Sequence, residues 1–439
     1  MSKELKIFSN RCWVDGNLQP ATISIKEGSI NSISKGKIID AIDYGNLIIM
    51  PGVIDAHVHI NEPGRTEWEG FETATKAAAE GGTTSIVDMP LNSSPVTISK
   101  NAFIKKLEAS KGKLNVNCGF YGGLIPGSLN DLIPLMEAGI LGVKCFLTHS
   151  GIDDFPNVSE KDLDEAMPII KKYNLPLLVH CEISSGNKLE DNCHDYKTYL
   201  ESRPDNWETS AIELMIKLCR KHGCRVHIVH VSSALSLKLI KDAKAEGLPL
   251  TAETCPHYLY FNSETIPDGQ TVYKCAPPIR NKKNNELLKK ALAEGILDFI
   301  TSDHSPASPD VKELESGNLS AAWGGIAGLQ FLLSSSFYSL KENLSLEKFI
   351  PLITEKPAIF LGLNKKGFLK EGYDADIVIW DPEGETFVTE KNIFHKHTCC
   401  PYANNILAGK VFSTIVNGEL IFENDIFIKR NTGKWLMKK

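Results

Sequence analysis

The sequence has no run of about 18 apolar residues, so no membrane-spanning helix is expected. It has no cluster of Lys and Arg and no basic stripe, and its net charge is -6. Nothing therefore favours a nucleic-acid partner or a membrane surface. There is no C-x-x-C; the 11 cysteines are odd in number and irregularly spaced, with Cys399 and Cys400 the one adjacent pair. They read as reduced and mostly buried thiols, which excludes a disulfide framework. The opening "MSKELKIFSN" lacks the long apolar core of a signal peptide, and a cytoplasmic chain is expected. Low-complexity linkers and sequence repeats are also missing.

What is present is the texture of a globular α/β protein. Hydrophobic residues make up 42% of the 439, enough for a substantial core. Residues 1–50 alternate like strands, as in "KIFSNRCWV" and "ATISIKEGSINSI", and so does the C-terminal text "DADIVIWD" and "VFSTIVNGELIF". The economical reading joins both ends into one small β-sandwich, residues 1–50 forming one half and 366–439 the other. Between them, residues 51–365 alternate short apolar runs with helical patterns. Eight such runs end in, among others, "GVIDAHV", "LGVKCFL", "LPLLVHC", "CRVHIVHV" and "ILDFITSD". Eight βα units in about 300 residues predict a (β/α)8 barrel of the TIM type.

In such a barrel the chemistry lies at the C-terminal strand ends. Here those ends carry His57 and His59, Lys144, His180, His230, and Asp303 followed by His304. His57 and His59 stand two apart on a strand, so both side chains face one way and can chelate one divalent ion. An isolated H-x-H is as readily a structural pair. Ligand-type residues at the ends of other strands favour the metal, and imidazole with carboxylate suits zinc. Lys144, among apolar neighbours, is either a lysine reaching the barrel rim or a buried amine with a lowered pKa.

The stretches "PGVIDAHVHINEPGRTEWEGFETATKAAAEGGTTSIVDMPLNS", "GVKCFLTHSGIDDFPNV", "LLVHCE", "HIVHVSS", "AETCPHYL", "CAPPIR" and "ITSDHSP" resemble the amidohydrolase superfamily. The resemblance is to its cyclic amidase branch, with dihydroorotases and dihydropyrimidinases, and most narrowly to the allantoinases. It implies that His57 and His59 bind one metal ion and His180 and His230 a second. Lys144, modified by carbon dioxide to N6-carboxylysine, would bridge them. Asp303 would bind the first ion and carry protons. The cofactors implied are two divalent ions, with zinc expected, and the assembly implied is a homotetramer. His227 falls on a non-ligand place, His257 on a supporting or pocket place, and "HKHTCC" at residues 395–400 on a structural one.

The resemblance also bears on substrate. Dihydroorotases carry an arginine two residues after H-x-H, where it grips a carboxylate. Here that place holds Asn61, a neutral donor and acceptor suited to a ureido or hydantoin group, although it can equally cap the loop. Asn92 in "PLNS" is the second expected substrate contact, and Arg65 has no specific support. The implied activity is hydrolysis of allantoin to allantoate by a hydroxide held between the metals. The alternatives are another hydantoinase, dihydropyrimidinase or dihydroorotase, and, from a different class, a non-catalytic scaffold related to dihydropyrimidinase. The scaffold would be expected to have lost metal ligands, which this sequence retains.

Overall fold

The structure is a computed structural model and describes residues 4–186 and 189–438. Its centre is a ring of eight parallel strands. In chain order they are Val53–Val58, Thr83–Asp88, Asn117–Phe120, Val143–Phe146, Leu177–His180, Val226–Ile228, Leu250–Thr254 and Phe299–Ile300. They are called here the first to eighth barrel strands. The first three pair in order, as do the fourth to the eighth. The third and fourth meet through Gly122–Gly123, which continues the third and pairs with the fourth. The ring closes where Val58 bridges His304, and where the His59 N–H donates to the His304 carbonyl at 2.7 Å.

The helices between the strands follow from local chemistry. Glu160–Lys172 opens on a reciprocal cap between Ser159 and Asp162, has acids in its first turn, and ends on Lys171 and Lys172. Its buried residues Leu163, Ala166, Met167 and Ile170 recur at the spacing of one helical face. Each buried Leu, Ile or Met contributes roughly 1.5–3 kcal/mol. Asp205–His222 ends at Gly223, whose φ of +60° suits a residue without Cβ, with Arg220, Lys221 and His222 opposing the helix dipole. No described helix is long and apolar enough to cross a membrane.

Both chain ends build a mixed sheet of nine strands. Ile48–Pro51 from the N-terminal part pairs antiparallel with Ile377–Phe387 from the C-terminal part, Met50 facing Val378. The sheet folds over a core that includes Ile7, Ile23, Ile49, Ile377 and Ile415. Two of its hairpin turns touch at Gly28 and Gly418. Both have positive φ, and a Cβ on Gly418 would lie 2.8 Å from the Gly28 Cα, so neither turn tolerates a side chain there. The last strand, Trp435–Leu436, leaves this sheet and pairs with the third barrel strand, Trp435 facing Cys118. The fourth strand leaves that stretch of edge uncovered, and the Cys118 N–H finds its acceptor in the Lys434 carbonyl at 2.9 Å. The described C-terminal residues, 366–438, therefore contribute to both the mixed sheet and the barrel. All 11 cysteines are free thiols.

Candidate metal centre and active-site cavity

The C-terminal ends of the strands converge on a cavity of about 450 Å³ whose wall includes His57, His59, Lys144, His180, His230 and Asp303. Asp303 Oδ1 lies 3.1 Å from His57 Nε2 and 3.4 Å from His59 Nε2. Donor atoms of these three residues all lie within 4.8 Å of one another. The His180 and His230 rings meet edge to face at 4.6 Å, and His57 and His230 are 5.5 Å apart, centre to centre. His230 and Asp303 adopt φ of +40° and +45°, which is unusual for residues with side chains and turns both into the cavity from their strand ends.

Lys144 is fully buried and its Nζ has no hydrogen-bond partner. It lies 4.9 Å from the Phe146 ring centre, and Phe146 stacks on His180 at 4.5 Å. Burial pulls the amine down to about 8. His230 Nδ1 is also buried and unpaired. Unpaired buried polar atoms are costly. Imidazoles, a carboxylate and an unpaired amine turned into one cavity form a donor set that fits a centre of two divalent metal ions. Asp303 is held well below the usual carboxylate range: burial alone would raise it, but His57, His59 and His230 together outweigh burial.

A second layer of side chains aims the first. Glu253, on the seventh strand, places Oε1 2.6 Å from His57 Nδ1 and Oε2 3.0 Å from His227 Nε2. His227 Nδ1 lies 2.8 Å from the Thr251 hydroxyl. Burial works to raise the Glu253 carboxyl, yet His227 and His57 bring it to about 2. Glu182 does the same for His180: Oε2 is 2.7 Å from His180 Nε2, and the Arg203 guanidinium grips both oxygens. With Nε2 so engaged, Nδ1 is the nitrogen of His180 left for a metal. Asn92 lines the cavity, and its amide is 3.4 Å from His59 Nδ1. Such carboxylate or amide partners fix tautomer and ring orientation in metal sites.

Other expected positions fall elsewhere. Asn61 does not line the cavity; it is buried at φ +67° with its amide 3.3 Å from the Pro306 carbonyl. Its geometry is that of a loop-closing residue, because asparagine tolerates the left-handed backbone this turn needs. Arg65 sits beside Asp154 at 3.8 Å, over the Trp68 ring. His257 is buried with neither ring nitrogen paired among the described residues, and it is not one of the residues lining the cavity. His395 accepts from the Gln330 N–H at 3.4 Å and His397 binds the Glu67 carbonyl at 2.7 Å, so the 395–400 segment fastens the first βα loop and its surroundings. Glu253, Glu182 and Arg203 were missed by sequence reasoning. The one local signal was the spacing of Thr251 and Glu253, two apart on a strand and so on one face.

The chain belongs to the amidohydrolase family, which matches residues 48–421. It is 43% identical to a probable allantoinase of Oryza sativa subsp. japonica, over 99% of this chain and 90% of that one. It is 38% identical to the allantoinase of Saccharomyces cerevisiae, over 95% of each chain. Among solved structures it is similar to the L-hydantoinase (dihydropyrimidinase) of Arthrobacter aurescens, with a TM-score of 0.91 at 28% identity over 100% of both chains.

Proposed function

We propose that this chain hydrolyses allantoin to allantoate. The observation that carries the reading is the convergence of His57, His59, Lys144, His180, His230 and Asp303 on one cavity, with the Lys144 amine buried and unpaired. Full-length likeness to allantoinases supports the substrate. His57, His59 and Asp303 would hold one ion, and His180 and His230 the other. Lys144, once carbamylated by carbon dioxide, would offer an oxygen to each. Zinc suits these ligands best. Two such ions would ionise a water near neutral pH and polarise the amide carbonyl.

The protein's own part is to place and move protons. Glu253 and Glu182 keep His57 and His180 in the tautomers that leave one nitrogen free. Asp303, held ionised, accepts the proton of the attacking water and delivers it to the ring nitrogen as the amide C–N bond breaks. The products are a carboxylate and a protonated nitrogen, which is the ring-opened ureido acid. Asn92 would act through His59, and Asn61 through the loop it closes. Eleven free cysteines fit a reducing compartment, and a cytoplasmic homotetramer is part of the same reading.

Likeness to an L-hydantoinase favours, as a second reading, a broader hydantoinase or dihydropyrimidinase. Metal-loaded protein assayed with allantoin, hydantoin, dihydrouracil and dihydroorotate separates them. Allantoin is expected to be turned over best. Preference for any other member of the panel overturns the proposal, and a chain unable to bind divalent metal would be a scaffold.

A further inference from the structure

Among the described residues, the cavity wall carries three long cationic side chains, Lys144, Arg203 and Lys274. Lys144 belongs to the ligand set. Arg203 is committed to both oxygens of Glu182. Lys274 is different: its Nζ donates to one backbone carbonyl, that of Ala322, and among the described residues it forms no ion pair. An ammonium has three donors, so two remain. The groups packed round it are the Tyr199 ring at 5.6 Å, Arg203, Lys312 and the Cys193 thiol, whose pKa burial raises, so none brings a compensating anion.

The position of Lys274 is fixed from behind. Its carbonyl accepts from the Gly325 N–H at 2.9 Å and from Lys312 Nζ at 3.2 Å. Lys312 also donates to the carbonyls of Trp323 at 3.0 Å and Gly325 at 2.7 Å. The loops after the seventh and eighth strands are thereby locked together, with Lys274 and Trp323 on their cavity side. Asp303 is the one carboxylate on that wall among the described residues, and it faces His57 and His59. Lys274 is half-buried on the cavity wall, so its spare donors are served by water until an oxygen of the substrate takes that place.

We infer that Lys274 is a specificity-determining residue that donates to the carbonyl oxygen of the substrate's exocyclic ureido arm, while the ring amide sits at the ligand cluster. This rests on the reading of the chain as a hydrolase of allantoin. Allantoin has the arm and hydantoin is the same ring without it, so the two substrates isolate the contact. Desolvation of a charged donor makes such a bond strong and its loss costly.

The test compares wild-type protein with Lys274→Met and Lys274→Arg on both substrates. Lys274→Met is expected to lower kcat/KM for allantoin by roughly 10- to 100-fold, mainly through KM, because the contact holds ground state and transition state alike. Hydantoin should lose far less, and Lys274→Arg, which keeps a charged donor, should restore part of the allantoin loss. Equal losses on both substrates would assign Lys274 to the ring or to loop structure, and an unchanged allantoin KM would remove it from binding. Either outcome overturns the inference. Failure of the wild-type protein on allantoin, with activity on hydantoin, would instead overturn the parent reading, and the arm contact with it.

Discussion

The carboxylate of Glu253 lies 2.6 Å from Nδ1 of His57. The two residues are 196 positions apart in the chain, and both are fully buried. The contact makes Nδ1 the protonated nitrogen and leaves Nε2 for metal, facing Asp303. Glu253 also serves His227, so one carboxylate is shared by two imidazoles.

Replacing it tests the arrangement. Glu253→Gln keeps the shape but has a single oxygen acceptor for two rings. Loss of such a partner typically weakens metal affinity ~10- to 100-fold. Metal content after dialysis against a weak chelator, with kcat at saturating zinc, should show the fall in affinity. Unchanged retention of metal would reduce Glu253 to a packing residue.

Asp303→Asn should give a folded, largely metal-competent protein with little turnover. The amide can offer an oxygen but cannot take up the proton. The expected loss in kcat is ~100- to 10,000-fold. Steady-state rates at full metal occupancy decide it, and near-wild-type turnover would assign the proton to another group.

Lys144→Ala should weaken binding of both ions and be almost inactive. A short carboxylate such as acetate or propionate can enter the gap and supply two oxygens, so partial rescue is expected. Lys144→Arg should stay inactive, since guanidinium remains cationic and forms no carbamate. Intact mass of the active protein should show the added carbon dioxide. An unmodified lysine beside a fully occupied metal pair would end the carbamate reading.

The Lys144 amine also sets a pH dependence. Burial brings it to about 8 in the metal-free fold, against about 10.5 for a free lysine. Carbamylation needs the neutral amine, so reconstitution of stripped protein with zinc, at one fixed concentration of dissolved carbon dioxide, should accelerate from pH 7 to pH 9. Stability has the same sign. Between about 8 and about 10.5 the unfolded lysine keeps a proton that the folded one has released, so this group's contribution rises with pH across that window. Melting temperatures of metal-free wild type should therefore gain on those of Lys144→Met as pH rises. A constant gap across the window would show that the amine is solvated.

Strand ends and ligand types were legible in the sequence. Alternating apolar runs are local, and a parallel barrel sends all their C-terminal ends to one face. His57, His59, Lys144, His180, His230 and Asp303 could accordingly be picked out from position along a strand, and the structure brings all six to one cavity. What the tertiary structure alone decided is which groups meet across the ring. Asn61 looked like a substrate contact because it follows the H-x-H, yet its positive φ turns it to Pro306. Glu253 and Glu182 lie inside the matching stretches "AETCPHYL" and "LLVHCE", but nothing local in them says which histidine each supports, and Lys274 stands just outside "CAPPIR". Their roles come from contacts made by folding, Glu253 to His57 across the one strand that separates theirs in the closed ring, and Lys274 to a wall built from two loops. Sequence patterns report the backbone's local period and the identity of each side chain; the partner of a buried charge is set by long-range packing, which no local pattern encodes.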